Sequence, residues 1–286
     1  MRSAKRHGAL LVGLMLAGLA PATHAGAQEP PRRVVSMNVC TDQLAMLVAG
    51  EGQLVSVSFL ASDPGTAVLA REARAYPANH GQAEEIFLMR PDLVLAGTFT
   101  AQAAVTMLRR LGFRVETFAP DSSFEDIAAS IRRMGRLLGR EDRAEELATE
   151  LEAGLAELAR EPVPPLSVAV YSANSYTSGR GSLSHAVIEA AGLKNIAERL
   201  EISGIARLPL ETLVMAGPDL VVLGEQSYDK PALAEANFSH PAFEAVAAEG
   251  RLVRIPDRYW VCGAPFTLQA VRLLRDAAAR AAEAGR

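Results

Sequence analysis

The stretch EEIFLMRPDLVLAG, residues 84–97, recurs in altered form as ETLVMAGPDLVVLG at residues 211–224. The two copies keep one offset of 127 positions from the first glutamate (84 to 211) to the last glycine (97 to 224). Such a spacing is too long for a solenoid repeat. It predicts two similar α/β lobes, each with its own core, and a ligand site in the cleft between them.

Both copies are predicted to form a short helix followed directly by a strand. Pro91 and Pro218 end the helix, because proline has no amide hydrogen and restricts the residue before it. The apolar runs LVLA and LVVL that follow are typical of strands buried on both faces of a parallel sheet. Pro-Asp-Leu-Val is a common helix-to-strand junction, but the matching glutamate seven positions before each proline favours a repeat.

The first 27 residues have the pattern of a secretory signal peptide. Three basic residues within the first six precede an apolar segment, Ala9 to Ala20, and Ala25-Gly26-Ala27 offers small residues for cleavage. The apolar part is too short to span a membrane. We therefore expect a soluble periplasmic protein that does not itself span a membrane. A retained N-terminal anchor is the alternative.

Composition limits the classes of partner. Removing residues 1–27 removes three basic residues and no acidic ones, so the formal charge changes from −4 to −7. An acidic chain with scattered arginines argues against nucleic acid or an anionic membrane surface as the partner. About 260 residues suffice for two domains of ordinary size, and a monomer is expected.

Two cysteines, Cys40 and Cys262, lie at opposite ends of the chain in an oxidising compartment. They could pair in a disulfide that ties the end of the chain to its beginning, or remain two free thiols facing a cleft. The sequence leaves both interpretations open, because it does not supply the Cα separation that a disulfide needs.

The predicted organisation has a signal peptide (1–27), an N-terminal α/β lobe (28–122), a helical segment (123–165) and a C-terminal α/β lobe (166–286). The helical segment contains one long helix, predicted from Glu141 to about Arg160, which would span about 30 Å. The fold class is thus α/β, with two Rossmann-like lobes built on parallel sheets and joined by a single long helix.

In this order, these features resemble the periplasmic substrate-binding proteins of ABC importers. The resemblance is to the helix-linked class that captures ferric siderophores, haem or cobalamin, and RVVSMNVCTDQLAMLVAG at residues 33–50 resembles that family's first strand and helix. It implies a protein that is not an enzyme and has no cofactor of its own. It implies capture of a ferric siderophore or related iron chelate, with cobalamin or haem as the alternative, and delivery to an inner-membrane permease.

The resemblance also implies two docking residues. One glutamate in each lobe of this family contacts arginines of the permease, and by position these are Glu84 and Glu211. Glu85 is the competitor for the first position. Exposed carboxylates of this kind give register and steering more than affinity.

Ligand residues are expected on the loops that follow strands. Tyr259 and Trp260, beside the last helix, could offer an aromatic surface to a planar or macrocyclic ligand or could simply pack at the helix start. Arg180, in a polar loop at residues 172–182, could pair with an anionic chelate or be an ordinary surface charge. The candidates are Asn38, Phe59, Phe99, Tyr171, Tyr176, Arg180, Tyr259 and Trp260.

Two other classes of protein fit the sequence less well. An exported binder of free metal ions needs convergent ligands, whereas His80, His185 and His240 are far apart in the sequence. An enzyme is disfavoured because the sequence has no Gly-x-Ser-x-Gly elbow, no Walker lysine and no dinucleotide fingerprint.

Overall fold

The computed structural model describes residues 29–224, 233–247 and 251–284. The predicted signal peptide lies outside these ranges. The strands are β1 (Val34–Ser36), β2 (Leu54–Ser58), β3 (Ala78–Asn79), β4 (Leu93–Gly97), β5 (Val115–Phe118), β6 (Ser167–Val170), β7 (Tyr176–Ser178), β8 (Lys194–Asn195), β9 (Ile205–Arg207), β10 (Leu220–Gly224) and β11 (Leu252–Ile255). The helices are α1 (Val39–Val48), α2 (Ala70–Ala73), α3 (Ala83–Met89), α4 (Gln102–Arg110), α5 (Phe124–Leu138), α6 (Glu141–Leu158), α7 (Leu183–Ala190), α8 (Ile196–Arg199), α9 (Leu210–Ala216), α10 (Pro241–Val246) and α11 (Leu268–Ala284).

Two parallel sheets form the two lobes, as predicted. The first has the strand order β3-β2-β1-β4-β5 and the second has the order β11-β10-β6-β8. In each sheet the strand of the repeat, β4 or β10, lies between the first strand of its lobe and the last. A third, two-stranded antiparallel sheet pairs β7 with β9. Residues 172–182, predicted to be only a loop, contain β7.

The aspartate of the repeat has the same structural role in both lobes. The carboxylate of Asp92 accepts hydrogen bonds from the backbone N–H groups of Arg32 and Arg33, at 2.8 and 3.0 Å. The carboxylate of Asp219 accepts from the backbone N–H and the hydroxyl of Ser167, at 2.7 and 2.6 Å. In each case the aspartate holds the start of the neighbouring strand, which fixes the register of the sheet.

The residue before the repeat proline ends the helix in both lobes. Arg90 and Gly217 both have left-handed backbone conformations, with φ of 47° and 53°. Glycine adopts this conformation at little cost, whereas a residue with a Cβ atom is strained there. The two lobes therefore share a left-handed helix end, which suits Gly217 in the second lobe and strains Arg90 in the first.

The lobes are joined by α5 and α6, which pack against each other. The long helix α6 has 18 residues, so it spans about 27 Å, close to the predicted length. One continuous apolar core contains residues of both sheets together with α5, α6 and α11. The predicted boundaries at residues 122 and 165 stay predictions. In the part of the chain that the structure describes, no helix has the length and apolar character of a membrane span.

Candidate functional site

The candidate site lies at the C-terminal ends of the parallel strands, where open α/β sheets bind ligands. Loops after β1, β4 and β5 and the segment 261–263 enclose a cavity of about 130 Å³. This volume is below the roughly 300–1,000 Å³ of a typical small-molecule pocket, so a ligand of ordinary size would extend beyond it. We call this cavity the cleft floor. Its lining includes Asn38, Phe99, Phe118, Asp121, Ser130 and Cys262.

A disulfide joins Cys40 to Cys262 at this floor. Their Cα atoms are 5.0 Å apart, within the usual range for a disulfide. The structure therefore agrees with the first interpretation, a disulfide that ties the end of the chain to its beginning. The bond connects the first turn of α1 in one lobe with the segment before α11 in the other.

The glycine at the end of each repeat strand leaves room for a polar side chain. A Cβ atom added to Gly97 would lie 3.0 Å from the side-chain nitrogen of Asn38, and one added to Gly224 would lie 2.5 Å from a carboxylate oxygen of Asp257. Asn38 also caps α1, because its side-chain oxygen accepts a hydrogen bond from the N–H of Cys40 at 3.0 Å. The repeat therefore shapes the cleft edge without supplying the polar groups itself.

Asp121 is a group of the cavity that the sequence analysis missed. Ser130 of α5 donates a hydrogen bond to its carboxylate at 2.7 Å. Burial raises the pKa of Asp121 to about 6; the Ser130 hydrogen bond opposes this shift, and the charge of Asp126 adds to it. Its place in the loop after β5 could have identified it, because Asn38 and Phe99 were predicted as ligand residues from their places in the loops after β1 and β4.

Two predicted aromatic residues present their rings at the same edge of the first sheet. Phe99 lines the cavity with 84% of its surface exposed. Phe59 follows β2, is half exposed, and stacks on His80 with 5.4 Å between the ring centroids. Their contact with a ligand stays a prediction.

Tyr171 and Trp260 have buried rings. For Tyr171 the expected ligand contact is wrong, whereas Trp260 packs in the core, which is the alternative given above. Tyr171 is fully buried, stacks on Phe243 at 5.5 Å, and donates a hydrogen bond from its hydroxyl to Ser175. Trp260 is buried in the main core, where its indole N–H donates to Asp257 at 3.3 Å. Both rings are therefore framework groups.

The other predicted ligand residues have partners within the second lobe. Arg180 lies 3.5 Å from Glu198 in an exposed ion pair. The ring of Tyr176, on β7, is partly exposed beneath the guanidinium of Arg207. Tyr259 packs partly against the main core, and Arg258 lies 5.0 Å from its ring centre. None of these three is among the residues that enclose the cavity.

The Thr-Asp-Gln sequence at the start of α1 is buried and holds loops in place. The carboxylate of Asp42 accepts hydrogen bonds from the N–H and the hydroxyl of Ser58, at 3.1 and 2.5 Å. Burial raises the pKa of Asp42 to about 6, against the opposing effect of its serine hydrogen bonds. The side-chain oxygen of Gln43 accepts from the backbone N–H of Val68 at 2.7 Å.

The two predicted docking glutamates occupy equivalent, exposed places. Glu84 lies in the first turn of α3 and Glu211 in the first turn of α9. Within the described ranges, neither carboxylate makes a hydrogen bond or an ion pair. Glu85, the competitor, accepts a hydrogen bond from the N–H of His80 at 2.7 Å and pairs with its ring. The geometry thus favours Glu84 as the available carboxylate.

The histidines do not converge. His185 contacts Asn195 and Glu189 in the second lobe, and His240 caps α10. Over residues 29–224, 233–247 and 251–284, no group of three or more His, Cys, Asp or Glu side chains could hold a metal ion.

Known proteins resemble this chain in sequence and in structure. The family model for periplasmic binding proteins matches residues 34–259. A cobalamin-binding protein of Halobacterium salinarum is 29% identical over 200 residues, covering 68% of this chain and 54% of that protein. The chain therefore spans about half the length of the curated relatives it matches.

Solved structures share the fold over nearly the whole described chain. The periplasmic heme-binding protein RhuT from Roseiflexus sp. RS-1 superposes with a TM-score of 0.71 at 23% identity, covering 88% of this chain and 99% of that one. The periplasmic vitamin B12 binding protein BtuF of Vibrio cholerae gives a TM-score of 0.66 at 19% identity, covering 89% and 99%. Because the family model covers well over half of the sequence, the chain belongs to the periplasmic binding protein family.

Proposed function

We propose that this protein is the periplasmic solute-binding component of an ABC importer, and that its ligand is cobalamin or a closely related corrinoid. Family membership and the two-lobed fold support the transport role. The predicted signal peptide supports export. The choice of ligand rests on the chemistry of the cleft floor.

One observation carries that choice. The floor holds the Asp121 carboxylate, with the amide of Asn38 and the hydroxyl of Ser130 nearby. With a pKa of about 6, Asp121 is mostly ionised at pH 7.5. A partly buried carboxylate attracts N–H donors and repels anions. The rim of a corrin ring carries carboxamide groups, which donate N–H bonds, and the curated relatives are named cobalamin-binding proteins.

The charge of Asp121 disfavours the anionic ligands among those expected from the sequence. Ferric catecholate chelates and haem carry carboxylate or catecholate charge that would lie against Asp121. A neutral ferric hydroxamate would not be repelled, and the exposed rings of Phe59 and Phe99 could pack on it. Ferric hydroxamate is therefore the second candidate.

Transfer of the ligand requires a permease, and we assign its docking to Glu84 and Glu211. Both are exposed at equivalent positions of the repeat, one in each lobe. A variant with both changed to arginine should bind ligand normally and support no uptake. Normal uptake by that variant would remove the assignment.

The proposed ligand is tested by isothermal titration calorimetry at pH 7.5 with four probes: cyanocobalamin, a neutral ferric trihydroxamate, a ferric catecholate and haemin. We expect the tightest binding for cyanocobalamin and the weakest for the two anionic probes. Preference for an anionic probe would contradict the ligand assignment. Binding of none of the four would contradict the transport role for this class of ligand.

A further inference from the structure

The carboxylate of Asp121 is covered by both lobes. Ser130 of the first lobe donates a hydrogen bond to its Oδ1 atom at 2.7 Å. Gly263, in the segment that the second lobe contributes to the cavity, lies against its Oδ2 atom. A Cβ atom added to Gly263 would be 2.2 Å from that oxygen and 2.7 Å from the side chain of Ile127. Only a glycine therefore fits in this place, and it does so without closing the cavity, which Asp121 still lines.

Cys262 fixes the segment that carries Gly263. Its sulfur is bonded to Cys40 in the first turn of α1, and its side chain is buried beside Val39 of the same helix. At the start of α11, the hydroxyl of Thr267 donates a hydrogen bond to the backbone oxygen of Cys262 at 3.3 Å. Gly263 is thus held by a covalent bond to the first lobe and by a hydrogen bond within the second.

The covering by Gly263 affects the titration of Asp121. Burial is the largest cause of the raised pKa of Asp121, and Gly263 supplies part of that burial. The charge that acts on Asp121 is that of Asp126. Ser122 donates two hydrogen bonds to Asp126 and holds the pKa of that carboxyl below its usual value, so Asp126 stays ionised near neutral pH. A change in the titration of Asp121 near neutral pH consequently reports a change in how it is covered.

We propose that the Cys40–Cys262 disulfide is a positioning element of the ligand site, which holds Gly263 against Asp121 and so fixes the carboxylate that meets the ligand. Asp121 and Gly263 belong to different lobes. Without the bond, a small shift of one lobe against the other moves Gly263 away and lets water reach the carboxylate. The ligand contact rests on the proposed function, whereas the placement of Asp121 does not.

The first test needs no ligand. The pKa of Asp121 is measured by carbon-13 NMR of its carboxyl group in the wild type and in the Cys40→Ala/Cys262→Ala double variant. We expect a pKa of about 6 in the wild type and a fall towards the ordinary value of 3.8 in the double variant. A disulfide that only stabilises the fold would leave this pKa where it is, and that result would overturn the proposal.

The second test is a double-mutant cycle on cyanocobalamin affinity, measured by isothermal titration calorimetry at pH 7.5. Loss of the disulfide should weaken binding by about tenfold, because the contact with Asp121 is displaced but not removed. In the Asp121→Asn background the same loss should change the affinity little, since groups that act through one contact are not additive. Losses that multiply in full would show that the disulfide acts independently of Asp121.

Gly263→Ala tests the same contact with the disulfide intact, so it also serves if the double variant is too unstable to measure. Its Cβ atom forces Asp121 aside, and we expect about tenfold weaker binding of cyanocobalamin. Gly50→Ala is the matched control, because a Cβ atom there meets its nearest neighbours at an ordinary 3.8 Å, and its affinity should equal that of the wild type. Wild-type affinity in Gly263→Ala would contradict the positioning.

The tests separate this inference from the proposed function. If the wild type does not bind cyanocobalamin but the pKa of Asp121 falls when the disulfide is removed, the proposed ligand is overturned and the positioning of Asp121 stands. If the wild type binds cyanocobalamin and neither the pKa nor the affinity changes in the variants, the proposed function stands and the positioning is overturned.

Discussion

The two lobes share a frame and differ at the edges that face each other. In both, the repeat supplies an aspartate that holds the first strand, a left-handed helix end, and a glycine that admits a polar neighbour. The cavity, by contrast, takes most of its lining from the first lobe. Among the described residues of the second lobe, only the segment 261–263 contributes to it. The repeated residues therefore build the frame of each lobe, and we expect the unrepeated loops to select the ligand.

The largest effect is expected from cutting the bond between the lobes. Replacing Cys40 and Cys262 together by alanine should lower the free energy of unfolding by about 2–5 kcal/mol, because the disulfide closes a very long loop. Differential scanning calorimetry measures the change and shows whether the lobes then unfold in one transition or two. Dithiothreitol added to the wild type is the control and should reproduce the loss. Unchanged stability in both experiments would mean that the disulfide does not hold the lobes together.

A smaller effect tests whether the two frames are equivalent. Asp92→Ala and Asp219→Ala each remove two hydrogen bonds to the start of a strand. Each should lower the free energy of unfolding by about 1–2 kcal/mol. This is the low end of the range for hydrogen bonds to a charged group, because water can hydrogen-bond to the backbone groups that the aspartate leaves. Urea unfolding measures both, with the asparagine variants as milder controls. If the two losses differ by more than about 1 kcal/mol, the aspartates do not have the same role.

The lobes should also respond differently to pH. In the first lobe, burial raises the pKa of Asp42 and of Asp121 to about 6, so the folded state takes up protons before the unfolded state as the pH falls. The free energy of unfolding should therefore rise between pH 7 and pH 5, by about 1 kcal/mol for each group. In the second lobe, burial acts to raise the pKa of Asp219, but the Ser167 hydrogen bonds hold it below its usual value of 3.8. Its contribution is present above that pH and is lost only on further acidification.

Urea unfolding at pH 7 and pH 5 checks this difference. In Asp42→Asn the rise on acidification should be smaller than in the wild type by the share of that one group. A rise of the same size in both proteins would show that Asp42 does not titrate in this range.

The smallest effect concerns the helix ends before the two prolines. Arg90→Gly should stabilise the protein by up to about 0.5 kcal/mol, because relief of left-handed strain is partly offset by the greater freedom of glycine in the unfolded chain. Gly217→Arg should destabilise it by about 1 kcal/mol. Thermal unfolding of the two variants measures both signs. Equal signs would show that the two ends are not equivalent.

The frame could be predicted from the sequence because its determinants are local. Proline followed by aspartate and an apolar run predicts a helix end and then a buried strand. The constant offset of the two copies predicts the two lobes. The orientation of aromatic side chains is not local. Tyr171 and Trp260 follow strands, as Phe59 and Phe99 do, yet contacts with Phe243 and Asp257 turn them into the core.

Asp121 was missed for a related reason. In the sequence, Pro120-Asp121-Ser122 is typical of a turn before a helix. Only the packing of α5 brings Ser130 against the carboxylate and places it at the cavity. The disulfide likewise depended on a Cα separation that no sequence pattern supplies.

The most direct test of the assigned cleft is the affinity of Asp121→Asn for ligands of different charge, measured by isothermal titration calorimetry at pH 7.5. Loss of a charge-assisted hydrogen bond should weaken cyanocobalamin binding by about 10- to 100-fold, whereas removal of the negative charge should strengthen binding of a ferric catecholate. Opposite shifts for the two probes would support Asp121 as the group that selects the ligand. Unchanged cyanocobalamin affinity, or weaker binding of both probes, would contradict the account.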